Sequence, residues 1–137
     1  MNILIIDGQG GGVGAQLVSA VKENFPDCAI TAVGTNTVAT SVMIKAGAGQ
    51  AATGENAVIV ACRKADVIVG PIGIVIADSL LGEVTPAMAL AVGQSGAARI
   101  LIPTSHCGVA IAGMADQPIT KLIQGAVAKI RLMHTAR

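Results

Sequence analysis

The sequence has no tryptophan and no tyrosine, and Phe25 is its one phenylalanine. Without aromatic faces there is no platform on which unpaired bases could stack. Charge is scarce too: acids and bases together make up 12% of the chain, about half the usual share in a soluble domain. The net charge is +1 and the lysines and arginines are scattered. No global field draws the chain to nucleic acid or to an acidic membrane surface, and neither partner is expected. No run is long and apolar enough to span a bilayer. The longest stretch free of acids and bases, Cys28–Ile44, carries four threonines, Asn36 and Ser41, and it falls short of the roughly 20 apolar residues a spanning helix needs. The start, MNILIID, has an acid and no basic flank, unlike a secretory signal. Cys28, Cys62 and Cys107 are odd in number and form no CxxC pair, so neither a disulfide framework nor a zinc ribbon is expected. The expectation is a cytoplasmic protein with no metal.

What the chain does have is apolar residues, 53% of its 137. That length suits one domain, residues 1–137, with a real core. Eight acids and nine bases cover little of the surface such a domain exposes. A homo-oligomer that hides part of that surface is therefore expected. The alternative is a monomer whose many alanines and glycines inflate the apolar count.

Short apolar runs alternate with segments of helical period, the pattern of βαβ units around a parallel sheet. Asn2–Ile6 reads as a buried strand, and Val13, Leu17, Val18 and Val21 then line one helical face up to Phe25-Pro26. Cys28–Val33 reads as a second strand, and Asn36 or Thr37 can cap a helix that Gly47 stops. Glu55–Ala65 fits a helix, although its VIVAC could pass for a strand. Asp66–Val69 is a strand ending at GPIG, and Thr85-Pro86 starts a helix that ends near Ser95-Gly96. Arg99–Ile102 is a strand closed by Pro103. Gly108–Ala112 is a candidate edge strand. Asp116 to Met133 forms the last helix, with Ile119, Leu122, Ile123, Ala126, Val127 and Ile130 on one face. The expected fold is α/β: a Rossmann-like, doubly wound, mostly parallel sheet of five or six strands with helices on both faces.

The chemistry, if any, starts at DGQGGGVGAQLV, residues 7–18, where five glycines fall directly behind the first strand. A strand that runs into glycines and then a helix start presents free amides and a helix dipole to an anion. GGGVGAQ is similar to the deviant Walker motif of the MinD/ParA-type ATPases, but Ala15 replaces the lysine and Gln16 the magnesium-binding hydroxyl. A methyltransferase loop fails at Gln9, which breaks the glycine spacing. Gly8, Gly12 and Gly14 give GxxxGxG, which resembles the cofactor loop of the short-chain dehydrogenase/reductases, and DVIVGPIGI (66–74) resembles that family's fourth-strand segment. The chain lacks the family's catalytic tyrosine. The end of its second strand, Gly34-Thr35-Asn36, offers no acid for ribose hydroxyls. Hydride transfer by that mechanism is excluded.

Over nearly its whole length the chain is similar to a short, uncharacterised bacterial family, a domain of unknown function numbered thirty-eight forty-two. The phrases that carry the resemblance are DGQGGGVG, GTNTVATSVMIKAGA, ATGENAVIV, DVIVGPIGIVIADSLLGEVTPAM and ILIP. The resemblance implies a Rossmann-like fold and brings no substrate with it.

The candidate binding residues are Asp7, Gly8, Gly10, Gly12, Val13 and Gly14, with Thr35 and Asn36 on one wall of a crevice and Gly70, Pro71 and Gly73 on the other. The expected ligand is a nucleotide, a dinucleotide or another small phosphorylated metabolite. Asp7 falls at the carboxyl end of its strand, where ligands sit, yet a carboxylate repels phosphate. The alternative is that it bonds the amides of its own glycine turn, as short polar side chains often do. Asn36, Glu55 and Asn56 lie near strand ends or helix starts, and Asn36 and Glu55 suit helix capping and first-turn roles. Asp78, set among apolar neighbours, could pair with Glu83 as an acid pair. His106-Cys107 lies just past a strand end, but adjacent side chains usually point apart and no further metal ligand has suitable spacing. Three readings remain open: a binding protein, a small enzyme using Asp7, Asp78 and His106, or a structural protein whose glycines only make a turn.

Overall fold

The computed structural model describes residues 1–104 and 108–136. β1 (Asn2–Asp7) is followed by α1 (Gly12–Asn24), β2 (Ala29–Gly34), α2 (Thr37–Ala46), β3 (Gln50–Thr53), α3 (Glu55–Lys64) and β4 (Val67–Pro71). A 3-10 turn (Ile72–Val75), α4 (Pro86–Gln94), β5 (Ala98–Ile102) and α5 (Ile119–Thr135) complete the described chain.

The five strands are all parallel and lie in the order β3-β2-β1-β4-β5. The chain builds outward from β1 to β3, then crosses back over β1 to lay down β4 and β5. Because such crossovers keep one hand, the reversal moves α3 and α4 to the other face of the sheet, while α5 returns to the face of α1 and α2. The core records this. Ile3 and Ile5 of β1 pack with Leu17, Val18 and Val21 of α1, Met43 of α2, and Ile123 and Ile130 of α5. Leu4 and Ile6 pack with Val58 and Cys62 of α3 and with Met88 and Val92 of α4. A strand buried on both faces has no polar alternation, which is why ILII reads as a continuous apolar run. Phe25 is buried at the end of α1, with the Arg131 guanidinium 4.9 Å from its ring centre.

Local signals set the helix ends. Asn36 Oδ1 accepts from Ala39 N and caps α2, and Gly47 closes it in the left-handed region at φ 117°. Thr85 caps α4 by accepting from Met88 N, with Pro86 at the first helical position.

The expected helix over Glu55–Ala65 is present as α3, with VIVAC inside it. Two expectations need correction. Gly108–Ala112 is not a strand; it is exposed, and the left-handed Gly108 and Gly113 frame it. The fifth strand is instead β3, a four-residue edge strand QAAT that pairs Thr31 with Gln50 and Gly34 with Thr53. It has no apolar run to announce it, and the backbone ladder to β2 makes it a strand. Finally, α5 starts at Ile119 and not at Asp116. Pro118 caps it, and a residue that precedes proline is steered away from helix.

Candidate functional site

In this strand order the topological switch lies between β1 and β4, and crevices open there at the carboxyl ends of the strands. The glycine loop stands at that point. Gln9 (φ 50°) and Gly11 (φ 72°) both take left-handed backbone, and Gly11 N donates to Gly8 O at 2.9 Å, so the chain turns directly from β1 into α1. Gly11 is obligatory: a Cβ there would come within 2.7 Å of Ala39 Cα in the neighbouring helix.

Asp7 sits beneath this turn and is 5% exposed. Its Oδ1 accepts from Gly8 N at 2.8 Å and its Oδ2 from Gly14 N at 2.6 Å. Burial pushes its carboxyl above the usual range, the amides of Gly14 and Gly8 pull it back in part, and the nearby charge of Glu83 adds to the rise. The acid therefore ties its own turn together from inside, one of the two roles open to it in the sequence. Gly8 and Gly14 are buried with it, whereas Gly10, Gly12 and Val13 reach the surface. The amides of Gly10, Gly12 and Val13 donate to nothing among the described residues.

Thr35 and Asn36 form the rim at the end of β2. Thr35 N donates to Asp7 O at 3.0 Å, and Asn36 Nδ2 donates to Gln9 O at 2.9 Å, which clamps this rim to the glycine loop. The third wall comes from residues 76–85, a strap between the 3-10 turn and α4. Asp78, Leu80, Leu81 and Gly82 all have positive φ, so the strap is coiled tightly. It is fastened by the Ser79 hydroxyl on Gly73 O, by Asp78 N on Val84 O at 2.7 Å, and by buried Leu80 and Val84.

Glu83 projects from this strap into the gap between the other two walls. Its Oε1 accepts from Gln9 N at 2.8 Å, Thr35 Oγ1 at 2.7 Å and Asn36 Nδ2 at 2.7 Å. Partial burial alone would raise its carboxyl, but the bonds from Thr35, Gln9 and Asn36 outweigh burial and hold it below the ordinary range. Glu83 is thus a fixed anion at neutral pH, and its partners are the loops rather than Asp78. Sequence reasoning saw it only as a companion to Asp78. A partner 74 residues away along the chain leaves no local trace.

The remaining candidates separate. Gly70 and Pro71 belong to β4, and Gly70 lies tight against Ile6 O, so a side chain there would collide with the backbone of β1. Both are buried, as is Gly73, whose carbonyl takes the Ser79 hydroxyl of the strap. Asp78 is exposed, and His106 and Cys107 lie outside the described residues. Glu55 opens α3 and is exposed with Asn56. Cys62 faces the core, where burial pushes its thiol up to about 11, too high for a nucleophile at neutral pH.

At the opposite end of the sheet, Asp27, Cys28 and His134 bring possible ligand atoms within 4.8 Å of one another. His134 Nε2 and Asp27 Oδ2 are already engaged with each other at 2.9 Å. A cleft of about 300 Å³ between α3 and strands β1 to β3, lined by Leu4, Val33, Ala57 and Ala61, is mainly apolar and holds one charged group, Lys64. Neither feature adjoins the glycine loop. No helix among the described residues is long and apolar enough to cross a membrane.

No curated protein matches the sequence. The crystal structure of a dodecameric FMN-dependent Ubix-like decarboxylase from Escherichia coli O157:H7 is similar in fold, with a TM-score of 0.52 and 18% identity over 98% of this chain and 95% of that one. At that identity the likeness concerns architecture alone. A family model described as a domain of unknown function (DUF3842) matches residues 2–135, and the chain belongs to that family.

Proposed function

We propose that this member of the family binds a mononucleotide-like ligand, its phosphate over the glycine loop. The observation that carries the reading is the set of amides at Gly10, Gly12 and Val13, uncommitted among the described residues, at the start of a 13-residue helix and at the switch point of the sheet. Asp7 supports it by removing the Gly8 and Gly14 amides from competition and fixing the turn from below. The FMN named for the structural neighbour is a ligand of this class, a phosphate on a hydroxylated chain.

Thermal melting against FMN, FAD, NAD, ATP and AMP tests the reading. A ligand held at 100 times its Kd stabilises the folded state by about 2.7 kcal/mol, an effect melting resolves easily. An unchanged midpoint with all five at millimolar excess overturns the reading for these ligands. Gly12→Val supplies the control, because a Cβ at Gly12 meets nothing within 4 Å. The variant should fold normally and lose the ligand-induced shift.

We also propose that the protein is a cytoplasmic homo-oligomer. Leu81 is 96% exposed, and Leu132, Val38 and Leu90 are each more than half exposed. This is much apolar surface for a chain with so little charge. Sedimentation velocity should find a species larger than one chain, and a monomer at micromolar concentration would overturn the proposal.

A further inference from the structure

We propose that Glu83 is the acceptor for ligand hydroxyls beside the glycine loop, so that the preferred ligand carries a vicinal diol next to its phosphate. This deepens the phosphate reading above and rests on it.

The argument starts from the end of β2. In dinucleotide-binding sheets an acid at that place holds the ribose hydroxyls, and here the local sequence is Gly34-Thr35-Asn36, without one. The fold brings one from elsewhere. Glu83 arrives on the strap, and its Oε1 is held by Thr35 and Asn36 at the end of β2 and by Gln9 of the glycine loop.

The bonding divides the carboxylate into two working halves. Oε1 takes three hydrogen bonds, as many donors as one carboxylate oxygen readily accommodates, and they fix the side chain in place. Oε2 accepts none among the described residues. A charged oxygen with open lone pairs at the mouth of a crevice needs donors. It repels phosphoryl groups and accepts hydroxyl hydrogens, so it selects a neutral, donor-bearing part of the ligand.

Nor is Glu83 a plug in the phosphate site itself. Of the loop amides it uses Gln9 alone and leaves Gly10, Gly12 and Val13 open. Phosphate and carboxylate thus have separate places on the same loop, which is the arrangement a phosphate with a neighbouring diol requires. A ribose and a ribityl chain both supply that diol.

Isothermal titration of the full chain and of Glu83→Gln distinguishes the cases. The probes are AMP and 2′,3′-dideoxy-AMP, FMN and its 3′,4′-dideoxyribityl analogue, and inorganic pyrophosphate. Hydrogen bonds to a charged acceptor predict that the hydroxylated member of one pair binds the native chain about tenfold to a hundredfold more tightly than its deoxy partner. The pair that shows this identifies the source of the diol as ribose or ribityl. In Glu83→Gln that preference should fall to about onefold, with the deoxy compound binding as before, because the amide oxygen keeps the Oε1 bonds while the acceptor at Oε2 is replaced by a donor. The hydroxyl deletions on the native chain are informative even if the variant does not fold. Equal binding within both pairs overturns the assignment, as does a preference that survives Glu83→Gln. A variant that binds every probe more tightly also overturns it, since Glu83 would then exclude ligand. If pyrophosphate or the deoxy compounds bind without discrimination, the loop reading stands and the Glu83 assignment fails. If nothing binds, both fail.

Discussion

The glycine loop, residues 7–14, and the strap, residues 76–85, each present one carboxylate to the same crevice, and they do so by opposite means. Asp7 is buried and bonds amides one and seven residues ahead of it. Glu83 lies at the rim and bonds groups 47 to 74 residues away. Burial drives the Asp7 carboxyl up, whereas donors hold that of Glu83 down. A loop stitched to itself makes a rigid floor. A carboxylate stitched across loops joins the walls, and its second oxygen takes no bond among the described residues. The difference separates an acid that holds one loop from one that links several.

The largest effect that can break this comparison is expected in the floor. Gly11→Ala forces a side chain into left-handed backbone and against Ala39 Cα, and should cost about 2–4 kcal/mol in urea unfolding. Gly12→Ala, one residue on, has open space around its Cβ and no positive φ, so its stability should stay within about 1 kcal/mol of the native chain. Asp7→Ala leaves the Gly8 and Gly14 amides buried without partners and should lose about 2–4 kcal/mol. Glu83→Ala removes bonds at a more exposed site, and about 1 kcal/mol is expected.

Acid titration sharpens the contrast by sign. The folded-state pKa of Asp7 is raised, so its ionised form costs stability, and protonation as pH falls recovers it. That of Glu83 is lowered, so its contribution is present above the unfolded pKa and disappears as pH falls through the folded one. In urea unfolding from pH 7 to pH 4, the deficit of Glu83→Gln against the native chain should therefore shrink. The deficit of Asp7→Asn should grow as the native chain gains from protonation. The same slope in both would refute the assignment of opposite environments. The smallest effect is expected at the far end of the sheet, where Asp27→Asn breaks the exposed contact with His134. Its melting midpoint should not move measurably.

Much of this was written locally. Continuous apolar runs gave β1 and β4, the Asn36 and Thr85 caps gave α2 and α4, and the glycines behind ILII located the loop. Asp7 was legible because its partners lie within seven residues. β3 was not, since QAAT becomes a strand only by pairing with β2. Pro118, rather than the expected Asp116, sets the start of α5. Of the crevice walls, Thr35 and Asn36 stand on the rim, whereas Gly70, Pro71 and Gly73 are buried.

The sequence by itself determined the alternation of strands and helices and the turn after β1, and it offered bracing of that turn as one of two roles for Asp7, because each depends on periodicity or on groups close together along the chain. It also ruled out the Walker lysine and the dehydrogenase tyrosine by their absence. Only the tertiary structure decided that the end of β2 has an acid after all. Glu83 reaches Thr35 and Asn36 because the chain crosses from β3 back over β1 before the strap begins. Contacts that depend on such a crossover are set by the packing of the whole sheet, and no spacing in the letters encodes them.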